Sequence, residues 1–241
     1  DAQKNKLRTV ILKARNQASD HVLEIGSGWG GFAMEAVRQT GCRVTTLTLS
    51  TEQKALAEQR IAEAGLADRI EVKLCDYRHM QGQFDKIISI EMIEAVGHEF
   101  LGAYFQQLDR LLKPDGLVVI QAITIPDQRY DLYRKEGDWL QKYIFPGAVV
   151  PSLQALVNAM TRHSSLMVES LENIGPHYAP TLAAWRERLH THKDAILALG
   201  FDTRFFRMWN YYFSYCEAGF ATRTLNDLHL VLTRPNNKSL R

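Results

Sequence analysis

Val22-Leu23-Glu24-Ile25-Gly26-Ser27-Gly28-Trp29-Gly30-Gly31 carries an apolar run straight into a cluster of glycines. Val22, Leu23 and Ile25 are short-range signs of a buried strand, and the glycines that follow mark a tight turn. Gly26, Gly28 and Gly30 let the backbone approach a ligand closely. Phe32 to Arg38 then reads as a helix whose N-terminus faces that ligand. The pattern predicts a nucleotide-type crevice; the competing reading is an ordinary strand, turn and helix in which the glycines serve packing alone.

Glu24 separates the ligand classes. A carboxylate inside the strand, above the turn, repels a pyrophosphate and suits a cationic amino-acid moiety. S-adenosylmethionine carries such a moiety, with an ammonium and a sulfonium, and is the expected cofactor.

Around this stretch lie 241 residues, 46% apolar and 23% charged, enough to bury a core as one large domain over 1–241. A net charge of +2 gives no electrostatic case for nucleic acid. Cys42, Cys75 and Cys216 are widely spaced and form no C-x-x-C, so neither a disulfide framework nor a zinc site is expected. A reducing cytoplasm is the expected location. No apolar run approaches a membrane span, and Asp1 to Arg8 is polar and charged rather than a signal peptide. Contact with a membrane surface stays open.

Strands and helices alternate along the first half. Ala2 to Asn16 reads as a helix with Leu7, Val10, Ile11 and Ala14 on one face. Arg43 to Leu49 is a β-branched strand, Ser50 caps a helix running to Ala64, and Ile70 to Leu74 and Phe84 to Ile90 are further strands. A helix from His98 to Leu112 stops at the turn Lys113-Pro114-Asp115-Gly116, and Leu117 to Ile125 is the fifth strand. This spacing predicts an α/β, doubly wound parallel sheet with ligands at the carboxyl ends of its strands. From Pro126 the alternation breaks into two helices, Asp127 to Gln141 and Pro151 to His163, joined by Tyr143-Ile144-Phe145-Pro146-Gly147, long enough to act as a lid. Met167 to Leu171 and Asp227 to Thr233 read as strands, Thr181 to Leu199 and Asp202 to Phe220 as helices, and Arg234 to Arg241 as a loose polar tail.

Seven segments now stand in order: Val22 to Gly31, Leu47 to Gln53 (L-T-L-S-T-E-Q), Cys75 to Arg78, Ser89 to Glu99 (S-I-E-M-I-E-A-V-G-H-E), Tyr143 to Gly147, Asn173 to Trp185 (N-I-G-P-H-Y-A-P-T-L-A-A-W) and Tyr215 to Phe220. Together they resemble the cyclopropane fatty acyl phospholipid synthase family, which includes the mycolic acid cyclopropane synthases, and most closely its plant-like branch. The resemblance implies a class I S-adenosylmethionine methyltransferase fold, Rossmann-like, with a seven-stranded, mostly parallel sheet and a helical cap inserted at about 126–166. It implies an upstream segment, bearing a cysteine, that lies before residue 1. It also implies a reaction in which an unsaturated acyl chain of a phospholipid attacks the cofactor methyl and the resulting cation loses a proton to close a cyclopropane ring. A π bond is a poor nucleophile, so such catalysis rests on alignment and exclusion of water.

Carried over by motif, the cofactor would meet Glu24, Gly26, Ser27 and Gly28 at its methionine end, Thr48, Leu49 and Gln53 at the ribose and methionine, and Asp76 and Tyr77 at the adenine. The family holds a bicarbonate ion as base. Glu94 matches its glutamate and Tyr178 its tyrosine, while Gln121 stands at its histidine position and donates a hydrogen bond without carrying a proton. Duller readings are a loop cap for Glu94 and a packing role for Tyr178. His98 and Glu99 lack the second ligand a helix-borne metal pair needs, and the aromatics of 205–215 surround a helix as core residues.

Three functions compete: lipid cyclopropanation; methyl transfer without ring closure, to an acyl double bond or an amine; and a cofactor-binding protein without activity. Product mass separates the first two, and cofactor turnover with unsaturated phospholipid separates both from the third. Basic surface residues would steer the protein to anionic lipid as a peripheral contact; the oligomeric state has no signature in the sequence.

Overall fold

Parallel pairing of five segments builds the frame: β1 (His21–Ile25), β2 (Arg43–Thr48), β3 (Ile70–Leu74), β4 (Phe84–Ile90) and β5 (Leu112–Thr124). β6 (Met167–Asn173) and β7 (Asn226–Thr233) complete it, β7 lying antiparallel between β5 and β6. The strand order is β3-β2-β1-β4-β5-β7-β6. The computed structural model describes residues 1–240. Because the chain leaves β1 toward β2 and β3 and returns to the other side of β1 at β4, the crevice at the carboxyl ends of β1 and β4 is the topological switch point, where such sheets take their ligands.

Alternation along the strands loads both faces of the sheet. Val22, Val44, Ile88, Val119 and Val231 join a cluster with α1 (Ala2–Lys13), α2 (Gly31–Thr40) and α3 (Thr51–Glu63). Leu23, Ile25, Ile87, Val118 and Leu230 join another with α4 (Leu101–Leu111). Burying each such Leu or Ile contributes about 1.5–3 kcal/mol. The chain between β5 and β6 forms α5 (Asp127–Tyr133), α6 (Trp139–Tyr143) and α7 (Leu153–His163), of which α7 packs Leu156 and Met160 into the α4 side. After β6 come α8 (Tyr178–Thr191), α9 (Lys193–Ala198) and α10 (Thr203–Ala221); Leu182 of α8 and Cys216 and Phe220 of α10 make a third cluster above the end of β5.

The predicted strands β3 and β4 match their bounds, and Ser50 caps α3 by accepting from the Gln53 N–H at 3.1 Å. Three expectations are corrected. Lys113-Pro114-Asp115-Gly116 is not a turn that precedes the fifth strand but a bulge within it: Leu112 pairs with Phe84 and Leu117 with Lys86, while Lys113 reaches back to Asp85 at 2.8 Å. The helix expected over Asp127 to Gln141 breaks in two, since Gly137 interrupts it and Asp138 with Gln141 forms a capping box that restarts it as α6. The tail is not loose as far as residue 240. Arg234 pairs with Asp109, and buried Asn237 donates to Gly116 O at 3.2 Å. Among the described residues no helix is long and apolar enough to cross a membrane.

Candidate active site

Two groups of residues meet at the switch point. The first is built from backbone. After β1 the chain turns through Gly26, Gly28 and Gly30 at φ values of 96°, 47° and 80°, left-handed conformations that cost a side-chain-bearing residue about 1–2 kcal/mol. The N–H groups of Gly26 and Ser27 both donate to Leu47 O, at 3.1 and 2.7 Å, which pins the turn to the end of β2. A Cβ on Gly26 would press on Met92 and one on Gly30 on Ala57, each at 3.3 Å, but one on Gly28 would project into open space. Gly28 therefore borders open space beside the turn.

Glu24 is buried and its Oε2 has no hydrogen-bond partner; neither has Thr46 Oγ1, its neighbour across the β1–β2 pairing. Burial pushes the Glu24 carboxyl up to about 8. A ligand ammonium would supply the missing partner and favour the charged carboxylate, whereas a pyrophosphate would not. The residues present thus fit the amino-acid end of S-adenosylmethionine. At the neighbouring strand end, Thr48 Oγ1 donates to Gln53 Oε1 at 2.8 Å and accepts from Ser50 N–H at 3.1 Å, and Leu49 is 73% exposed. Thr48, Leu49 and Gln53 thus form one lip of the crevice. Asp76 and Tyr77 follow β3, tied to that lip by Cys75 N–H donating to Thr48 O at 3.0 Å. Asp76 is committed to Arg78, whose guanidinium holds its carboxyl below the usual range, and the Tyr77 ring packs edge-on against Tyr104 with centroids 5.5 Å apart.

The second group is built from side chains of four remote elements. Gln121 Nε2, at the end of β5, lies 2.7 Å from Glu91 Oε1, 2.9 Å from Tyr178 Oη and 2.8 Å from Asp227 Oδ2. Tyr178, the first residue of α8, donates its hydroxyl proton to the same Glu91 oxygen at 2.5 Å. Burial and the adjacent Glu91 push the Tyr178 phenol far up, so it stays protonated. Burial and Glu91 likewise raise the Asp227 carboxyl, whose Oδ1 has no partner. His229 Nε2 lies 3.3 Å from Gln121 Oε1, and burial pushes the imidazole down to about 4, leaving it neutral. Glu91 follows β4 at a φ of 49° and keeps a third of its side chain exposed.

Of the predicted catalytic residues, Gln121 and Tyr178 come together and Glu94 stands apart. Glu94 Oε1 accepts from Ile123 N–H at 2.6 Å and its backbone oxygen from Val149 N–H at 2.8 Å, so it ties the end of β5 to the cap. Its Oε2 is buried without a partner, and burial pushes the carboxyl up to about 7. Bicarbonate does not fit this arrangement. The phenol and amide expected to hold the ion already hold the Glu91 carboxylate, which takes the place an anion would need. Glu91, Asp227 and His229 are the residues that the sequence reading passed over. A signal existed for two of them: alternation along D-L-H-L-V-L puts Asp227 and His229 on the same buried face as Val231, and a buried carboxyl and imidazole in an apolar strand call for a reason. Glu91 lay inside the motif that singled out Glu94.

Comparison with known proteins follows the same lines. The family model described as mycolic acid cyclopropane synthetase matches residues 1–230. Tuberculostearic acid methyltransferase UfaA1 of Mycobacterium tuberculosis is 44% identical over 233 residues, which make up 97% of this chain and 54% of that protein. The cyclopropane-fatty-acyl-phospholipid synthase of Escherichia coli K12 is 34% identical over 240 residues, 100% of this chain and 60% of that one. The chain thus spans little more than half the length of these relatives. Among solved structures, mycolic acid cyclopropane synthase CmaA1 in complex with SAH and CTAB superposes with a TM-score of 0.88 at 25% identity, covering 97% of this chain and 84% of that one. The expected class I methyltransferase fold is the fold observed.

Proposed function

We propose, from the premise that this chain belongs to the mycolic acid cyclopropane synthetase family, that it transfers the methyl group of S-adenosylmethionine to the double bond of an unsaturated acyl chain in a phospholipid. The observation that carries this reading is the pairing of a glycine-built corner, with its orphaned Glu24 oxygen, and a carboxylate cluster facing the same crevice. Glu24, Gly26, Ser27 and Gly28 would hold the methionine end, with Thr48, Leu49 and Gln53 along the ribose. Asp76 and Tyr77 remain assigned to the adenine side, Asp76 through its edge beyond Arg78. When bound, the cofactor supplies an electrophilic methyl group, and the cation formed on the acyl chain must then release a proton.

Glu91 is the group that takes that proton. The C–H bond breaks, the proton passes to a Glu91 carboxylate oxygen, and the electron pair stays with carbon to close a three-membered ring. Tyr178 and Gln121 fix the Glu91 carboxylate by donating to it, and Glu94 holds the cap entry against the end of β5. Packing of Tyr178 on Phe220 at 5.1 Å and the apolar residues around Leu182 keep water from the cation. A second product has support as well: the 44% identical relative is a tuberculostearic acid methyltransferase, and if the hydride on the methylated carbon first shifts to the neighbouring cationic carbon, loss of a methyl proton leaves a methylene branch in place of the ring.

Peripheral contact with lipid is part of the proposal. A groove of about 360 Å³ between α6 and α10 is lined by Trp139, Tyr143, Arg204, Arg207, Met208 and Tyr211, a mixture of aromatic and cationic side chains suited to an anionic lipid surface. Incubation with S-adenosylmethionine and oleoyl phospholipid vesicles, followed by mass analysis of the acyl chains, tests the function. One added CH2 per chain is expected, and absence of both product and cofactor turnover would overturn the reading. Loss of the double bond identifies the ring, and its retention the methylene branch.

A further inference from the structure

We propose that Lys6 of α1 is a positioning residue that keeps the negative charge of the cluster on Glu91 and leaves Asp227 as its neutral partner. This rests on the reading that the cluster takes up the proton. The Gln121 amide nitrogen bridges Glu91 and Asp227 at 2.7 and 2.8 Å. Two carboxyl groups joined through one nitrogen repel each other when both are charged, so one holds a proton. Which one is set by the remaining neighbours, and these are unequal.

Glu91 Oε1 accepts from Tyr178 and lies 4.0 Å from Lys6 Nζ. Asp227 Oδ1 has no partner, and burial together with the Glu91 charge favours its neutral form against the opposing pull of Lys6. Among the described residues Lys6 is the one cation within 4.0 Å of any carboxyl of the cluster. The other groups around Glu91 are Tyr178 on α8, Asp227 and His229 on β7, Glu94 after β4 and Tyr212 on α10. None of these carries a positive charge when His229 is neutral.

The geometry of α1 supports a fixed rather than a wandering lysine. Only 15% of the Lys6 side chain is exposed, unusual for a residue that normally keeps its ammonium in water. Leu7, Val10, Ile11 and Ala14 anchor the helix in the core, and Lys13, two turns on, pairs with Glu172 beside His229 in the β6–β7 register. The helix is therefore held at both ends, with Lys6 over the crevice. With the charge on Glu91, the group facing the substrate is the proton acceptor and the buried Asp227 never competes for the proton.

The test compares wild type, Lys6→Met and Lys6→Arg for turnover across pH, S-adenosylmethionine affinity and thermal midpoint. Removing the cation raises the proton affinity of the cluster, so the acid limb of the turnover profile of Lys6→Met should move up by about one pH unit, about tenfold in rate on that limb. The loss should vanish at high pH, Lys6→Arg should track wild type, and cofactor affinity should not change. A loss equal at every pH together with a lowered melting midpoint would mark a purely structural lysine and overturn the proposal, as would an unshifted profile. If wild type shows no turnover, the proposed function fails on its own account. Infrared titration of the protonated carboxyl band in wild type and Lys6→Met then decides the role of Lys6: an upward shift supports it and identical titrations overturn it.

Discussion

The corner after β1 and the cluster behind Glu91 lie side by side at the ends of the strands, yet they are made differently. The corner comes from ten consecutive residues, and its working atoms are backbone groups with room beside Gly28. The cluster draws Glu91, Gln121, Tyr178 and Asp227 from β4, β5, α8 and β7, and its working atoms are all on side chains. The corner needs only β1, its own turn and the end of β2 that pins it. A constellation gathered from four elements exists only when the sheet is assembled, and each member is held by the others.

The sharpest break between the two should come from Gly28→Val. Its left-handed φ disfavours a β-branched residue, and the added methyls fill the space the cofactor would use, so S-adenosylmethionine affinity should fall by about a hundredfold or more. Calorimetry on the folded variant checks this, and unchanged affinity would mean that the cofactor does not use the corner. Glu91→Gln should do the opposite. It leaves cofactor affinity within about twofold while turnover drops by about a hundredfold, the usual worth of a positioned base. Initial rates together with binding isotherms read both, and a fully active variant would end the assignment of Glu91.

How much of this was legible in the sequence follows the same division. The strands that frame the corner, its glycine turn and the Ser50 cap were all readable because each is set by neighbours within a few residues. Gln121 and Tyr178 were reached through motifs, and the structure joins them at 2.9 Å. Glu91, Asp227 and Lys6 were not reached, since nothing near them in the chain records that β7 folds back beside β5 or that α1 lies across the crevice. The breaks at Gly137 and at His192, where the chain passes from α8 to α9, were also missed; short helices with apolar residues on either side of a break look continuous to periodicity alone.

A smaller effect concerns pH. Glu24 and Glu94 are both raised by burial, from 4.5 to about 8 and about 7, so between those values the folded state holds protons that the unfolded chain releases. Stability from these groups is present at low pH and is lost as pH rises. His229, lowered from 6.5 to about 4, acts in the other sense, since below 6.5 the unfolded chain takes up a proton that the folded state refuses. The fall should therefore be clean between about pH 6.5 and 8. Asp227 in the cluster, raised by burial to about 8, acts in the same sense. Thermal midpoints should decrease across that window and decrease less in Glu24→Gln, the difference being the share of the corner; an equal slope in the variant would remove Glu24 from the account.

The smallest expected change lies outside both regions. Ser152 caps α7 by accepting from Ala155 N–H at 3.2 Å, and Ser152→Ala should lower stability by about 1 kcal/mol with cofactor affinity and turnover unchanged. Denaturant titration and initial rates measure the two together. A loss of turnover larger than the loss of stability would show that the cap helices feed into the cluster more directly than their contacts indicate.

The insertion of β7 between β5 and β6 has a consequence for how the protein is made. The strand that supplies Asp227 and His229 is the last of the seven sheet strands to be made, roughly 200 residues after Glu24. At about 5–20 residues per second the interval is roughly 10–40 s, and for about the second half of it, roughly 5–20 s after Thr124 is made, β5 presents an open edge and Gln121 and Glu91 have no partner from β7. The binding corner can thus form early on the nascent chain, while the chemistry waits for its final strand. A chain stalled or cut before Asn226 would keep the means to recognise the cofactor without the means to use it, and its exposed β5 edge would make it a substrate for chaperones rather than for lipid.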